Sequence, residues 1–458
     1  MTAARALADG PLVAFYGDDL TGSSAVMEVT AFAGLETVLF LTPPSAERLA
    51  AFPTARVIGI AGMARSQPPQ WMREHLPPIF AALESIGAPI THYKVCSTFD
   101  SSPEIGSIGC AAEIGRARFP HGWMPMIVGD AGMGRFQVFG HLFAHSQGVG
   151  YRLDRHPVMA RHPVTPMHES DLRLHLARQT RMRTGLVDFS AIKRGTAETQ
   201  LAAELAAGCE IIAIDVLDAE TMIAAGRLVW ERGAKRQFAL GSQGFEAALV
   251  AYWRAAGLLP PQAATHTAFD RKPIAVVSGS VSPVTALQIA TATEAGFAGI
   301  ALDAAQVVDP RAWQNEIART ASAAADALAQ GRSSVVYTAA GPDDPAVGAL
   351  STALAAAGLS SDAANQRIGE GLGQILAETL GKTGVRRAVI SGGDTSGRAA
   401  AMLGIDALTA IAPLAPGAPL CRAHCVSGPF DGMEIALKGG QVGSSDFFFA
   451  VMHGSGKP

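Results

Sequence analysis

The stretch Val389-Ile390-Ser391-Gly392-Gly393-Asp394-Thr395-Ser396-Gly397 decides how this chain is read. A short apolar run enters a glycine pair, and a helical pattern over 398–403 follows. Glycine lets the backbone approach a ligand and adopt conformations that a Cβ forbids. The first amides of the following helix lack intrahelical acceptors and carry partial positive charge, which favours a phosphate. Asp394 adds a carboxylate in reach of a magnesium ion on such a phosphate. An ordinary strand-to-helix turn has the same look over nine residues, so the reading depends on what surrounds it.

Two more turns of this kind lie in the second half. Ser278-Gly279-Ser280-Val281-Ser282-Pro283 joins an expected strand over 274–278 to an expected helix over 283–295. Pro283 suits a first helical position and Ser282 the cap before it. Lys438-Gly439-Gly440-Gln441-Val442-Gly443-Ser444-Ser445-Asp446 leads into a terminal helix over 447–452, and Lys438 adds a positive charge beside flexible backbone. Further strands are expected over 334–338 and 388–390, with helices over 314–328 and 363–380. Three such turns at the carboxyl ends of strands of one sheet converge where open α/β sheets bind ligands. No P-loop is present and no G-x-G-x-x-G follows a strand. Gly369, Gly371 and Gly373 fall inside a helical pattern and read as close packing. A Walker ATPase and a Rossmann dehydrogenase are therefore unsupported.

The first half alternates strands (12–16, 37–41, 56–61, 92–96, 126–129, 210–215, 237–241) with helices (25–33, 70–83, 104–118, 226–232). That pattern predicts a mostly parallel, helix-flanked sheet. The first strand ends in Gly17-Asp18-Asp19-Leu20-Thr21-Gly22. Two adjacent carboxylates there can orient a hydroxyl, hold Mg²⁺ or act as a general base. A helix cap, worth about 1 kcal/mol, explains one aspartate but not both. Lys94, Ser97 and Thr98 follow another strand, and Arg135 could grip a carboxylate with two parallel hydrogen bonds. The middle is polar and carries His141, His145, His156, His162, His168 and His175. Only His141 and His145 lie four apart, and solvated loops are expected rather than a metal site.

The 458 residues are too many for one core and predict two or three domains. Charged residues make up 17%, against roughly 25% in an average soluble domain, and the net charge is −4. Neither a nucleic acid nor a membrane surface has an electrostatic reason to bind. Five cysteines suggest a reducing, cytoplasmic setting. The charge-free run over 275–293 contains Gly279 and Pro283 and reads as strand–turn–helix rather than a membrane span. The first residues lack the pattern of a signal peptide. A proline-bearing stretch over 257–273 reads as a linker. The expected division is 1–258, a linker over 259–273, and 274–458.

With these residues assembled, the chain resembles the four-carbon acid sugar kinase family over nearly its whole length. The resemblance rests on seven ordered motifs. Gly17-Asp18-Asp19-Leu20-Thr21-Gly22, Tyr93-Lys94-Val95-Cys96-Ser97-Thr98, Gly134-Arg135 through Gly140-His141, and His162-Pro163-Val164-Thr165-Pro166-Met167 lie in the first half. The S-G-S-x-S, S-G-G-D-T-S-G and K-x-G-x-x-G-x-x-D-F-F motifs follow in the second. The resemblance implies an α/β fold of two domains, an acid-sugar domain followed by an ATP domain, with catalysis in the cleft between them. It implies that Ser280, Ser282, Gly392, Gly393, Asp394, Thr395, Gly440 and Gly443 hold ATP, with Mg²⁺ bridging its phosphates. It implies that Asp18 or Asp19 orients or deprotonates the attacking hydroxyl, while Thr21, Lys94, Ser97, Thr98 and Arg135 position the acid. In one place the chain departs from the family. The Ser-Thr pair is usually followed by L-R-G, and here it is followed by Phe99-Asp100-Ser101-Ser102. That departure favours a branched acid such as 3-oxo-isoapionate over 3-oxo-tetronate, threonate or erythronate. A non-catalytic nucleotide- or sugar-acid-binding protein and a hydroxy-acid dehydrogenase or lyase are the rival classes. A homodimer is an alternative to a monomer.

Overall fold

The computed structural model describes residues 5–146, 148–261 and 272–454. Most of the expected linker, 262–271, lies outside the described residues. The chain divides into two compact units, Met1–Ala263 and Ala264–Pro458. Among the described residues no helix is long and apolar enough to cross a membrane.

The first unit carries β1 (Val13–Gly17), β2 (Thr37–Phe40), β3 (Val57–Ala61), β4 (Ile90–Lys94), β5 (Met124–Ile127), β6 (Arg135–Val138), β7 (His141–Ser146), β8 (Val149–Arg152), β9 (Thr184–Val187), β10 (Ile211–Ile214) and β11 (Gln237–Gly241). Eight of them form a parallel sheet in the order β2-β3-β1-β4-β11-β5-β10-β9. Every residue of β1, β4 and β11 is buried, as expected of parallel strands covered on both faces. The helix Pro69–Ser85 supplies part of that cover, burying Met72, Leu76, Phe80 and Leu83 along one stripe. The chain leaves β1 towards β2 and leaves β4 towards β5, on opposite sides. The sheet's switch point therefore lies beyond the carboxyl ends of β1 and β4, where Asp18 and Lys94 stand.

Two expectations for this unit are corrected. The helix after β1 is Leu20–Ala31, starting five residues earlier than the pattern suggested, because Asp19 caps it by accepting from Gly22 N. The histidine-rich middle is only in part a set of solvated loops: His162 and His168 lie in one, and the rest do not. Strands β6, β7 and β8 form a separate antiparallel sheet, and His141 and His145 lie on β7 rather than on a helix. Leu142 and Ala144 alternate inward along β7, the period of a strand. His156 and His175 are buried as well.

The second unit contains β12 (Ala275–Ser278), β13 (Ala298–Ala301), β14 (Ser334–Tyr337), β15 (Arg387–Ser391), β16 (Ile405–Ala415), β17 (Ala418–Cys425) and β18 (Glu434–Lys438). The order is β13-β14-β12-β15-β18-β17-β16, with the first five parallel and β17 antiparallel to both neighbours. Here the switch point falls between β12 and β15. The long β16–β17 hairpin was not expected, since β16 is broken by register shifts and interrupted by alanine and proline. The glycine run at 369–373 does pack closely, inside the helix Ser361–Thr383. A Cβ at Gly371 would stand 2.5 Å from the Trp313 ring, and one at Gly373 2.8 Å from Ala399.

Candidate active site

In the first unit the two aspartates stand where β1 meets its helix. Asp18 is buried, whereas Asp19 keeps 29% of its side chain exposed. One guanidinium holds both. Arg65 Nη2 donates to Asp18 Oδ1 at 2.6 Å and to Asp19 Oδ1 at 2.7 Å. Its Nη1 reaches Asp19 Oδ2 at 2.9 Å, and its Nε reaches Asp18 Oδ2 at 3.3 Å. Gly22 N donates to Asp19 Oδ1, and Lys94 Nζ lies 3.9 Å from the same oxygen. A Cβ at Gly22 would overlap Lys94 Nζ and Asp19 Oδ1, so any side chain there would displace both.

This geometry separates the two acids. Burial pushes the Asp18 carboxyl up despite Arg65 and Lys94. Burial also opposes ionisation of Asp19, but Arg65, Lys94 and the Gly22 amide outweigh it and hold that carboxyl below its usual range. The Arg65 charge is disfavoured by burial and held by Asp18 and Asp19, which raise its pKa. Asp19 is thus the more readily ionised member of the pair and the reachable one.

Beyond β4, Thr98 Oγ1 donates to Asp100 Oδ1 at 2.7 Å and lies 3.1 Å from Cys96 Sγ. Phe99 takes a left-handed φ of +57°, and Ser101 Oγ donates to its carbonyl. Ser101 Oγ also sits 2.9 Å from His175 Nε2 and accepts from Gln179 Nε2. This buried platform fixes the loop that carries Asp100. Arg135 donates through Nη1 to the carbonyls of Met133 and Gly134, and its buried Nε has no acceptor among the described residues. Burial lowers its pKa, against the charges of Asp100 and Asp130. A guanidinium satisfied only by backbone is suited to a carboxylate ligand. Thr21 and Ser97 are half-buried nearby in sequence, in the first turn after Asp19 and just past β4.

In the second unit the three glycine- and serine-rich turns follow β12, β15 and β18. β15 lies between the other two. Ser282 caps the helix Pro283–Glu294, and its hydroxyl donates to Gly440 O, which also accepts from Thr285 Oγ1 at 2.9 Å. Ser282 N in turn donates to Ser280 Oγ at 3.3 Å. Gly392 has φ +128°, and a Cβ there would stand 3.1 Å from Thr395 Oγ1. It precedes the helix Gly393–Met402 at its N-cap, where a glycine supplies no side-chain cap to the first amides. Gly393 faces open space. A Cβ at Gly440 would come within 2.6 Å of Ser280 Oγ, and Gly443 has φ +89°. The Asp394 side chain lies outside the described residues.

The match with known proteins bears on both units. A family model described as a sugar-binding N-terminal domain matches residues 13–249, and one described as a nucleotide-binding C-terminal domain matches 275–448. A protein of Paraburkholderia graminis named 3-oxo-isoapionate kinase is 48% identical over 453 residues, covering 99% of this chain and 96% of that protein. The 3-oxo-tetronate kinase of Cupriavidus necator is 30% identical, covering 97% of each chain. The chain belongs to the four-carbon acid sugar kinase family. A solved Haemophilus influenzae structure of the DUF1537 family shares the fold, with a TM-score of 0.72 at 24% identity over 96% of this chain and 98% of that one.

Of the residues expected from the family's motifs, the structure groups Asp18, Asp19 and Lys94. It also groups Ser280, Ser282, Gly392, Thr395 and Gly440. Arg65 was not anticipated. It lies in the short turn Ala64–Ser66 after β3, and only the pairing of β3 with β1 brings it to the aspartates. The one available signal was a cation just past a strand end.

Proposed function

We propose that this chain transfers the γ-phosphoryl group of ATP to a hydroxyl of 3-oxo-isoapionate, a branched short sugar acid. The 48% identity to a kinase named for that substrate, against 30% for one named for 3-oxo-tetronate, carries the substrate choice.

The residues of the second unit fit a nucleotide. Gly393, at the helix start, presents open space to phosphate oxygens, and Ser280, Ser282, Gly392, Thr395, Gly440 and Gly443 shape the surrounding backbone. ATP supplies the phosphoryl group and its leaving ADP. Mg²⁺ would travel on the phosphates, which with water supply most of its ligands.

In the first unit, Asp19 accepts the proton of the attacking hydroxyl, since it is the more readily ionised acid and the reachable one. Asp18 stays buried and anchors Arg65, which holds Asp19 in one orientation. Lys94 supports the charge on Asp19, and Arg135 takes the substrate carboxylate. Thr21, Ser97 and Thr98 position the remaining polar groups. Phosphoryl transfer asks mainly for in-line placement and charge neutralisation, and these residues provide both for the acceptor. Asp100, tied to Thr98, replaces a cation with an acceptor and suits the added hydroxyl of a branched acid.

ADP release should be measured with 3-oxo-isoapionate, 3-oxo-tetronate and threonate in turn. The expected result is the highest kcat/KM with the branched acid. A higher value with a tetronate overturns the substrate, and ATP binding without ADP release from any of them overturns the kinase reading.

A further inference from the structure

Lys438 closes β18 with a side chain only 1% exposed. Its ammonium donates to Thr285 Oγ1 at 3.1 Å and to Ser391 Oγ at 3.0 Å. The Phe447 ring lies beside it, with the centroid 5.9 Å away. These neighbours come from the helix Pro283–Glu294, from β15 and from the helix Phe447–His453, and none is charged. β17, on the other side of β18, carries Ala418 and Leu420 towards this end. Glu434, on β18 itself, pairs with Arg387. Asp446, at the start of the terminal helix, accepts from Ser444 Oγ. The helix Gly393–Met402 also packs on β18 and carries Arg398 and Asp394, the latter with its side chain outside the described residues. No carboxylate pairs with Lys438 among the described residues, and burial alone draws its pKa down to about 8.

The same lysine joins the three turns. Thr285 passes the contact on to Gly440 O, which Ser282 also reaches. Gly392 N donates to the carbonyl of Lys438 at 2.9 Å, and Gly279 N donates to that of Ser391 at 3.0 Å. A buried cation held only by neutral partners is unfavourable unless an anion arrives to compensate it.

We infer that Lys438 is a positioning residue for the nucleotide: through Thr285 and Ser391 it spaces the turns after β12, β15 and β18, and its ammonium is the resident charge that the polyphosphate neutralises. This rests on the nucleotide reading above. An anion bound at the turns restores the proton affinity of the ammonium, so binding near pH 8 takes up a fraction of a proton, and affinity falls as pH rises further. A lysine serving only to pack the turns would do neither.

The test is titration calorimetry of the full chain with ADP, from about pH 7.5 to about 9.5, in buffers of different ionisation enthalpy. For the wild type we expect proton uptake near pH 8 and affinity weakening by roughly tenfold across that range. For K438M we expect roughly thirtyfold weaker binding at the lower pH, no proton uptake from this source, and a nearly flat pH profile. In turnover assays KM for ATP should rise more than kcat falls. K438M binding ADP within about threefold of the wild type with an unchanged pH profile overturns the inference. So does a wild type that binds ADP without taking up a proton, and that measurement decides alone should K438M not fold. A wild type that binds no adenine nucleotide removes the nucleotide reading, and this inference with it.

Discussion

The two units place charge beyond the carboxyl ends of parallel strands in opposite ways. In the first, two carboxylates share one guanidinium and a nearby ammonium, so the ions compensate each other inside the protein. In the second, a single buried ammonium rests on two hydroxyls. The first arrangement orients a reacting group, which needs a fixed geometry before substrate arrives. The second leaves a charge for a ligand to complete. A compensated site should unravel when one partner is removed, whereas an uncompensated one should not.

The largest effect should come from Asp19→Asn. If Asp19 takes the hydroxyl proton, kcat falls about a thousandfold while ADP affinity stays near wild type. Full turnover in a steady-state assay would show that the acid pair only shapes the helix start. Next is Arg65→Met, which leaves Asp18 buried without its cation. Urea denaturation should show a loss of about 3 kcal/mol, and adding Asp18→Asn should recover part of it. Strict additivity of the two changes would break the idea of internal compensation.

A smaller effect should appear with pH. His175 is buried against Ser101 and Phe99, and burial lowers its pKa to about 4. Between that value and the ordinary histidine value near 6.5, the unfolded chain binds more protons than the folded one. Stability should therefore fall as pH drops through that window, by at most about 3 kcal/mol. His175→Gln should flatten the slope between about pH 6.5 and 5 in chemical denaturation. The smallest effect, and the one of opposite sign, should come from Lys438→Met without nucleotide. Removing an uncompensated buried charge should leave stability unchanged or raise it by up to about 2 kcal/mol. A loss as large as that of Arg65→Met would erase the contrast between the units.

Much of this was legible beforehand. The three turns sit at the ends of β12, β15 and β18 because glycine and N-cap residues mark strand-to-helix turns locally. The Asp18-Asp19 pair and Lys94 were legible for the same reason. The β6–β8 sheet was hidden because its strands are short, polar and histidine-bearing, and the β16–β17 hairpin because its register slips. Arg65 was hidden because its partners lie 46 and 47 residues away.

By itself the amino-acid order determined where backbone is exposed to a ligand and which side chains follow each strand, since those depend on neighbours within a few residues. Which charges find each other was decided only in three dimensions. Strand order brings β3 beside β1, and Arg65 to the aspartates. It likewise sets β18 beside β15 and encloses Lys438. Burial and ion pairing depend on distance through space, and sequence separation does not measure that distance.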